Sequence, residues 1–172
     1  MNKKNGLKNY VMALILVIVA VLIDQYTKYL AVTHLKDGSA FVLIDNVFEL
    51  NYLENRGAAF GLLQNRQIFF VCVAILIFAF ILYCYVRIPK TGRYLPLRLC
   101  GIFIVAGAAG NLIDRIRLGY VVDFFYFKVI NFPIFNVADI YVTCSAIFLA
   151  VLLIFCYKEE DLNQLLKSLK GK

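Results

Sequence analysis

Residues able to do acid–base chemistry are few in this chain, and they gather where hydrocarbon-rich sequence makes a charge costly. The stretch from Gly107 to Asp139 reads GAAGNLIDRIRLGYVVDFFYFKVINFPIFNVAD. A glycine-rich apolar helix runs into Asn111, Asp114 and Arg115. A short loop then carries Asp123 between Val-Val and Phe-Phe, and Asp139 opens the next apolar run. Ionisable groups in such surroundings are functional candidates by default. Two carboxylates in one apolar pocket divide the work. One keeps its proton and polarises a carbonyl, and the other is ionised and takes a proton from water, because like charges held close resist joint ionisation. Asp123 lies among Val121, Val122, Phe124 and Phe125, where desolvation raises a carboxyl pKa. Asp139 begins a helix, and a helix N-terminus favours the charged form. The resting assignment expected from this is Asp139 as base and Asp123 as acid, the two titrating jointly.

Each of these residues also has a purely structural reading. Asp139 alone is as well explained by a helix cap as by catalysis. Asp24 and Lys28 stand four apart on one helix face and pair there, with a supporting role. Asp114 and Arg115 form a boundary ion pair in this reading, and Asn111 and Asn136 bind either backbone or substrate. Other chemistries lack their residues. There is no G-x-S-x-G, H-E-x-x-H or Walker motif, and His34 is the lone histidine, in a loop. The five cysteines, Cys72, Cys84, Cys100, Cys144 and Cys156, all lie in apolar runs without a C-x-x-C, which speaks against a disulfide framework or a metal site.

The elements that must position these residues are membrane helices. The chain has 172 residues, is 62% hydrophobic and 17% charged, and has a mean hydropathy of +0.78, which is too apolar for a soluble domain. A single integral membrane domain over 1–172 is expected. Four helices are predicted at about 10–32, 68–86, 95–114 and 139–157, each long enough for roughly 30 Å of hydrocarbon. The first is kept as a permanent helix rather than a cleaved signal peptide, since Asp24 and Lys28 stand where an A-x-A-like site would be needed. Residues 37–66 break the pattern. Phe41–Ile44 and Val47–Leu53 read as short strands around an Asp45-Asn46 turn, with Phe48, Leu50 and Tyr52 on a greasy face and Glu49 and Asn51 on a wet one. Glu54 to Gly61 follows, rich in small residues. Gly101, Ala106, Gly107 and Gly110 suit tight helix contact in lipid. Asp114 to Ala138 reads as a loop, and Glu159 to Lys172 as a charged tail with a short interfacial helix marked by Leu162, Leu165, Leu166 and Leu169.

Four crossings put both ends on one side. That side carries eleven lysines and arginines against seven on the other, which also holds eight of the eleven acids. The positive-inside bias makes the termini cytoplasmic. The sheet-like loop and the aspartates then share the outer boundary. The basic clusters flank apolar runs instead of mixing with aromatics on one face, so a nucleic-acid partner is not expected. A small transporter or proton-coupled channel is the main rival reading. Against it, the acids cluster at one boundary and no inverted repeat of interrupted helices is visible. A structural subunit without chemistry leaves the acidic cluster unexplained.

Five blocks taken together resemble one family. They are D-Q-x-T-K at Asp24–Lys28, N-R-G-A-A-F at Asn55–Phe60, G-A-A-G-N-L-I-D-R at Gly107–Arg115, V-V-D-F at Val121–Phe124 and F-N-V-A-D at Phe135–Asp139. In order and spacing these are similar to the signature blocks of lipoprotein signal peptidase, or signal peptidase II. The resemblance implies an all-α membrane protein of four transmembrane helices with a small extracytoplasmic β-sheet, the cradle, between helices 1 and 2. It implies a bacterial intramembrane aspartic endopeptidase without metal or cofactor, acting as a monomer in the cytoplasmic membrane. Such an enzyme cleaves prolipoproteins before their diacylglyceryl-modified cysteine and binds globomycin in the same pocket. Carried over block by block, Asp123 and Asp139 are the catalytic dyad. Asp24, Lys28, Asn55, Gly57, Asn111, Asp114, Arg115, Asn136 and Ala138 bind substrate or support the site, and the loop after Glu54 bounds the pocket. Ile140 departs from the family, many members of which have serine there.

Overall fold

The computed structural model describes residues 3–57 and 66–171, with side chains from residue 7 onward. Its helices are α1 (Lys3–Leu35), α2 (Gln67–Arg87), α3 (Leu95–Leu118), α4 (Val137–Val151) and α5 (Glu159–Leu169). A π-helical turn, Leu152–Cys156, prolongs α4. Four of these segments are long and apolar enough to cross a membrane: Leu7–Leu35, Gln67–Arg87, Gly92–Leu118 and Val137–Cys156. α1 starts seven residues before the expected boundary at 10, because the basic tail continues the helix. At 1.5 Å per residue α1 is about 50 Å long, more than the hydrocarbon requires, so its polar ends project beyond it.

α3 is the centre of the bundle and packs against α1, α2 and α4. Its small residues make that possible. A methyl group on Gly107 would run into the Ala138 carbonyl and Val142 of α4, and one on Gly110 into the Asp24 carboxylate of α1. Glycine here is therefore a packing requirement, as expected for close helix contact in lipid. α3 also runs four residues past its expected end. It stops at Gly119, which adopts the left-handed conformation with φ of 79° while its N–H donates to the Arg115 carbonyl.

The sheet has three antiparallel strands in the order β1 (Phe41–Ile44), β2 (Phe48–Asn55), β3 (Val121–Phe127). The first two form the expected hairpin, turning through Asn46 at φ of 57°. The third lies where a loop was expected, and Asp123 is on it. Val121 to Phe124 are buried whichever way they face, so the apolar/polar alternation that signals a strand is missing. β3 pairs with β2 with Leu53 opposite Asp123 and Asn55 opposite Val121. The sheet rests on the end of α1, where Val122 and Phe124 bury with Ala31, flanked by Leu50 and Tyr52. The expected wet face is corrected at Glu49, which is buried and meets Lys128 at 3.2 Å. Of the small-residue segment after Glu54, Ala58, Ala59, Phe60 and Gly61 lie outside the described residues.

Candidate active site

The site is assembled where β3, the C-terminal half of α3 and the N-terminus of α4 meet. Phe135 returns beside β3, accepting the N–H groups of Phe124 and Phe125 and donating to the Phe125 carbonyl. That places Asn136 and the start of α4 against Asp123. Asn136 is fully buried and caps α4: its Oδ1 accepts the Asp139 N–H at 3.0 Å, and its own backbone N–H donates to Asp139 Oδ2 at 3.1 Å. This is a reciprocal capping box. The Nδ2 of the same side chain donates to Asp123 Oδ1 at 2.6 Å. One asparagine thus holds both carboxylates. Asp123 Oδ2 accepts from Asn55 Nδ2 at 2.9 Å, and Asp139 Oδ1 from Asn111 Nδ2 at 2.8 Å. Asp123 is 1% exposed. Burial, reinforced by the neighbouring Asp139 carboxylate, pushes its pKa up to about 7.

Beneath this layer lies a buried ionic cluster. Lys28 Nζ meets Asp24 Oδ2 and Asp114 Oδ2, each at 2.9 Å, and donates to Asn111 Oδ1 at 2.8 Å. All three ammonium protons are used, which is the condition under which a buried cation is tolerable. Each carboxylate also ties down backbone: Asp24 accepts the Ala138 N–H at 2.9 Å, and Asp114 accepts the Val122 N–H at 3.2 Å. The cluster therefore joins α1, α3, β3 and α4. It also fixes the amide orientation of Asn111, because an oxygen facing Lys28 leaves the NH2 for Asp139.

Asp123 and Asp139 line one cavity of about 470 Å3, together with Asn55, Gly57, Asn111, Arg115 and a largely apolar wall of Phe70, Phe132, Pro133, Ile134, Phe135 and Ile140. Arg115 donates to the Gly57 carbonyl at 3.2 Å and lies over the Phe70 ring, 4.4 Å from its centre. Its Nε is buried and has no hydrogen-bond partner among the described residues. A second cleft of about 240 Å3 continues from Asp139, Asn111 and Arg115 between α2, α3 and α4, along Val73, Ala74, Ile77 and Ala108. A polar floor opening onto an apolar trough suits an extended or helical apolar chain whose backbone must reach two carboxylates.

The family model for signal peptidase (SPase) II matches residues 16–155, a span that takes in every residue of this site. The chain belongs to the signal peptidase II family. It is 44% identical over 145 residues to the lipoprotein signal peptidase of Caldanaerobacter subterraneus subsp. tengcongensis, covering 84% of this chain and 97% of that one. It is 45% identical over 142 residues to that of Clostridioides difficile, covering 83% and 94%. Among solved structures it is similar to a bacterial membrane enzyme determined by the in meso method at 2.3 Å, with a TM-score of 0.75, 32% identity, and coverage of 86% of this chain and 92% of that one. The protein is therefore a multi-pass membrane peptidase of bacterial type.

Placed on this signal peptidase II fold, the expected site residues fall into two groups. Asn55, Gly57, Asn111, Arg115, Asp123 and Asp139 line the cavity. Asp24, Lys28, Asp114, Asn136 and Ala138 are buried behind it. The expected Asp114–Arg115 ion pair does not form, since Asp114 turns to Lys28 and Arg115 to Gly57. The cap and the catalyst readings of Asp139 are not alternatives, because one carboxyl group closes the capping box and faces the cavity. Sequence reasoning missed Gln25, which donates to Asp114 Oδ1 at 2.9 Å and to the Gly110 carbonyl at 3.2 Å. It also missed Phe70 and Thr143 on the cavity wall. Thr143 was findable, standing four residues after Asp139 and so on the same helix face. Phe70 carried no signal within an apolar run.

Proposed function

We propose that this protein is an intramembrane aspartic endopeptidase that removes signal peptides from bacterial prolipoproteins, cutting before the diacylglyceryl-modified cysteine. The observation that carries the reading is Asn136, whose side-chain amide donates to Asp123 Oδ1 and whose backbone N–H donates to Asp139 Oδ2, so that both carboxyl groups line one cavity. Water held between the two carboxylates attacks the scissile carbonyl. Asp139 takes the proton as base, while Asp123, protonated below about 7, donates to the developing oxyanion. The roles then exchange as the amine leaves, and no covalent intermediate forms. Asn55, Asn111 and Asn136 orient the carboxyl groups, and the Arg115 Nε–H, without a partner among the described residues, donates to a substrate carbonyl. The signal peptide lies along the apolar cleft while the diacylglyceryl chains stay in the bilayer. Both termini face the cytoplasm, the site lies near the outer face of the cytoplasmic membrane, and the enzyme works as a monomer. Globomycin, an apolar cyclic peptide, competes for the same cavity.

The decisive test incubates purified enzyme in lipid with a diacylglyceryl-modified prolipoprotein and reads the product by mass. Wild type loses the signal-peptide mass in a globomycin-sensitive manner. Asp123→Asn and Asp139→Asn each fall at least about a thousandfold while still inserting into the membrane. Turnover retained in either variant removes that residue from the dyad.

A further inference from the structure

The boundary remote from the aspartates holds a second arrangement that the peptidase reaction does not use. The turn between α2 and α3 and its flanks carry Arg87, Lys90, Arg93 and Arg98. Arg93 is satisfied, meeting Asp161 of α5 at 2.7 Å and donating to the Cys156 carbonyl. Lys90 and Arg98 have no carboxylate partner among the described residues. Yet Arg98 is only 6% exposed, with Nη1 donating to the Pro89 carbonyl at 2.8 Å. Lys90 donates to the Tyr85 carbonyl and lies over the rings of Tyr85 and Tyr10, at 4.4 and 5.1 Å from their centres. Burial and the nearby Arg98 guanidinium push the Lys90 ammonium down to about 8. Two partly desolvated cations side by side without a counter-charge are unfavourable as they stand.

Arg98 also lines an apolar cleft of about 220 Å3 that rises between α2, α3, the π turn and α5, walled by Ile81, Cys84, Leu97, Leu153 and Leu169. Tyr85, the ring under Lys90, lines it too. A cation pair at a membrane boundary opening onto a hydrocarbon slot has the chemistry of a phospholipid receptor. We propose that this cleft binds one anionic diacyl phospholipid, its phosphate between Lys90 and Arg98 and an acyl chain along the slot. Charge complementarity selects this occupant. A soluble anion would leave the slot unfilled, an apolar helix would leave the cations unpaired, and a zwitterionic lipid would return a positive charge to the same place. Basic pockets between transmembrane helices are used in this way.

The test is native mass spectrometry of the full chain in neutral detergent, titrated with phosphatidylglycerol or phosphatidylcholine. One phosphatidylglycerol should be retained about tenfold more tightly than phosphatidylcholine. Lys90→Gln should lower that preference several-fold, and Lys90→Gln with Arg98→Gln should abolish it. Lys167→Gln, an exposed cation on α5, should leave it intact. Equal retention of the two lipids, or a preference that survives the double variant, overturns the site. So does displacement by soluble glycerol phosphate, which would mark it as a plain anion site, or an equal loss in Lys167→Gln, which would mark it as bulk surface charge. If Arg98→Gln fails to fold, Lys90→Gln decides alone, since among the described residues its side chain donates only to the Tyr85 carbonyl.

Discussion

At the residue scale the proposed chemistry turns on one proton. Burial and the Asp139 carboxylate raise Asp123 from an ordinary 3.8 to about 7. The acid role proposed for Asp123 needs that proton, so cleavage should fall as pH rises through about 7, read from initial rates on one lipidated substrate. Stability follows the same sign. The folded chain keeps a proton that an unfolded aspartate releases near 3.8, so this contribution is complete below about 4 and lost as pH climbs to about 7. Thermal unfolding in detergent should show that decline, and Asp123→Asn should remove it. Asn136 allows its two duties to be separated. Serine also caps helices, but it lacks the amide that reaches Asp123. Asn136→Ser should therefore cost about 1 kcal/mol or less in stability while lowering turnover at least tenfold, whereas a purely structural Asn136 would show stability and activity falling together.

At the element scale the site depends on how closely α3 approaches its neighbours. Gly110 faces Asp24 with no room for a methyl group, whereas Gly119, at the end of the same helix, has open space around it and is constrained only by its positive φ. The same substitution should therefore give two different results. Gly110→Ala should destabilise by more than about 3 kcal/mol, because it pushes α1 and the buried ion cluster away from α3. Gly119→Ala should cost only about 1 kcal/mol, the strain of a left-handed residue, and should keep activity. Melting temperatures of the two variants in one detergent, set beside their cleavage rates, check both outcomes. Equal losses would mean that the α1–α3 contact does not govern the fold.

At the scale of the whole molecule, charge and site occupy opposite ends. The sheet and both aspartates stand at one boundary. Arg87, Lys90, Arg93 and Arg98 stand at the other, together with the beginning of α1 and α5. The proposal that both termini are cytoplasmic rests on the positive-inside bias of these charges. Reporter domains fused to either end should be shielded from an impermeant reagent added to intact cells, while a single cysteine introduced at Val129, an exposed residue on the sheet side, should be labelled. Labelling of the termini instead would invert the topology and move the dyad to the cytoplasmic face.

Much of this was legible in the sequence because its cause is local. Four helices are set by uninterrupted apolar length, since lipid leaves the backbone no other partner for its hydrogen bonds. The first hairpin is marked by alternation around Asp45-Asn46. Asp123 and Asp139 stand out because a carboxylate amid valine and phenylalanine is costly wherever the chain goes. What only the tertiary structure decided are pairings between segments distant in sequence. β3 exists because β2 offers its edge, and its buried run carried no strand signal of its own. Glu49 is buried because Lys128 reaches it. Asp114 turned from its neighbour Arg115 to Lys28, 86 residues away, because a dry site with three polar partners outweighs proximity in sequence. Asn136 gained its double role in the same way: the cap could be read from its place before a helix, but its amide found Asp123 only once β3 and α4 had been folded together.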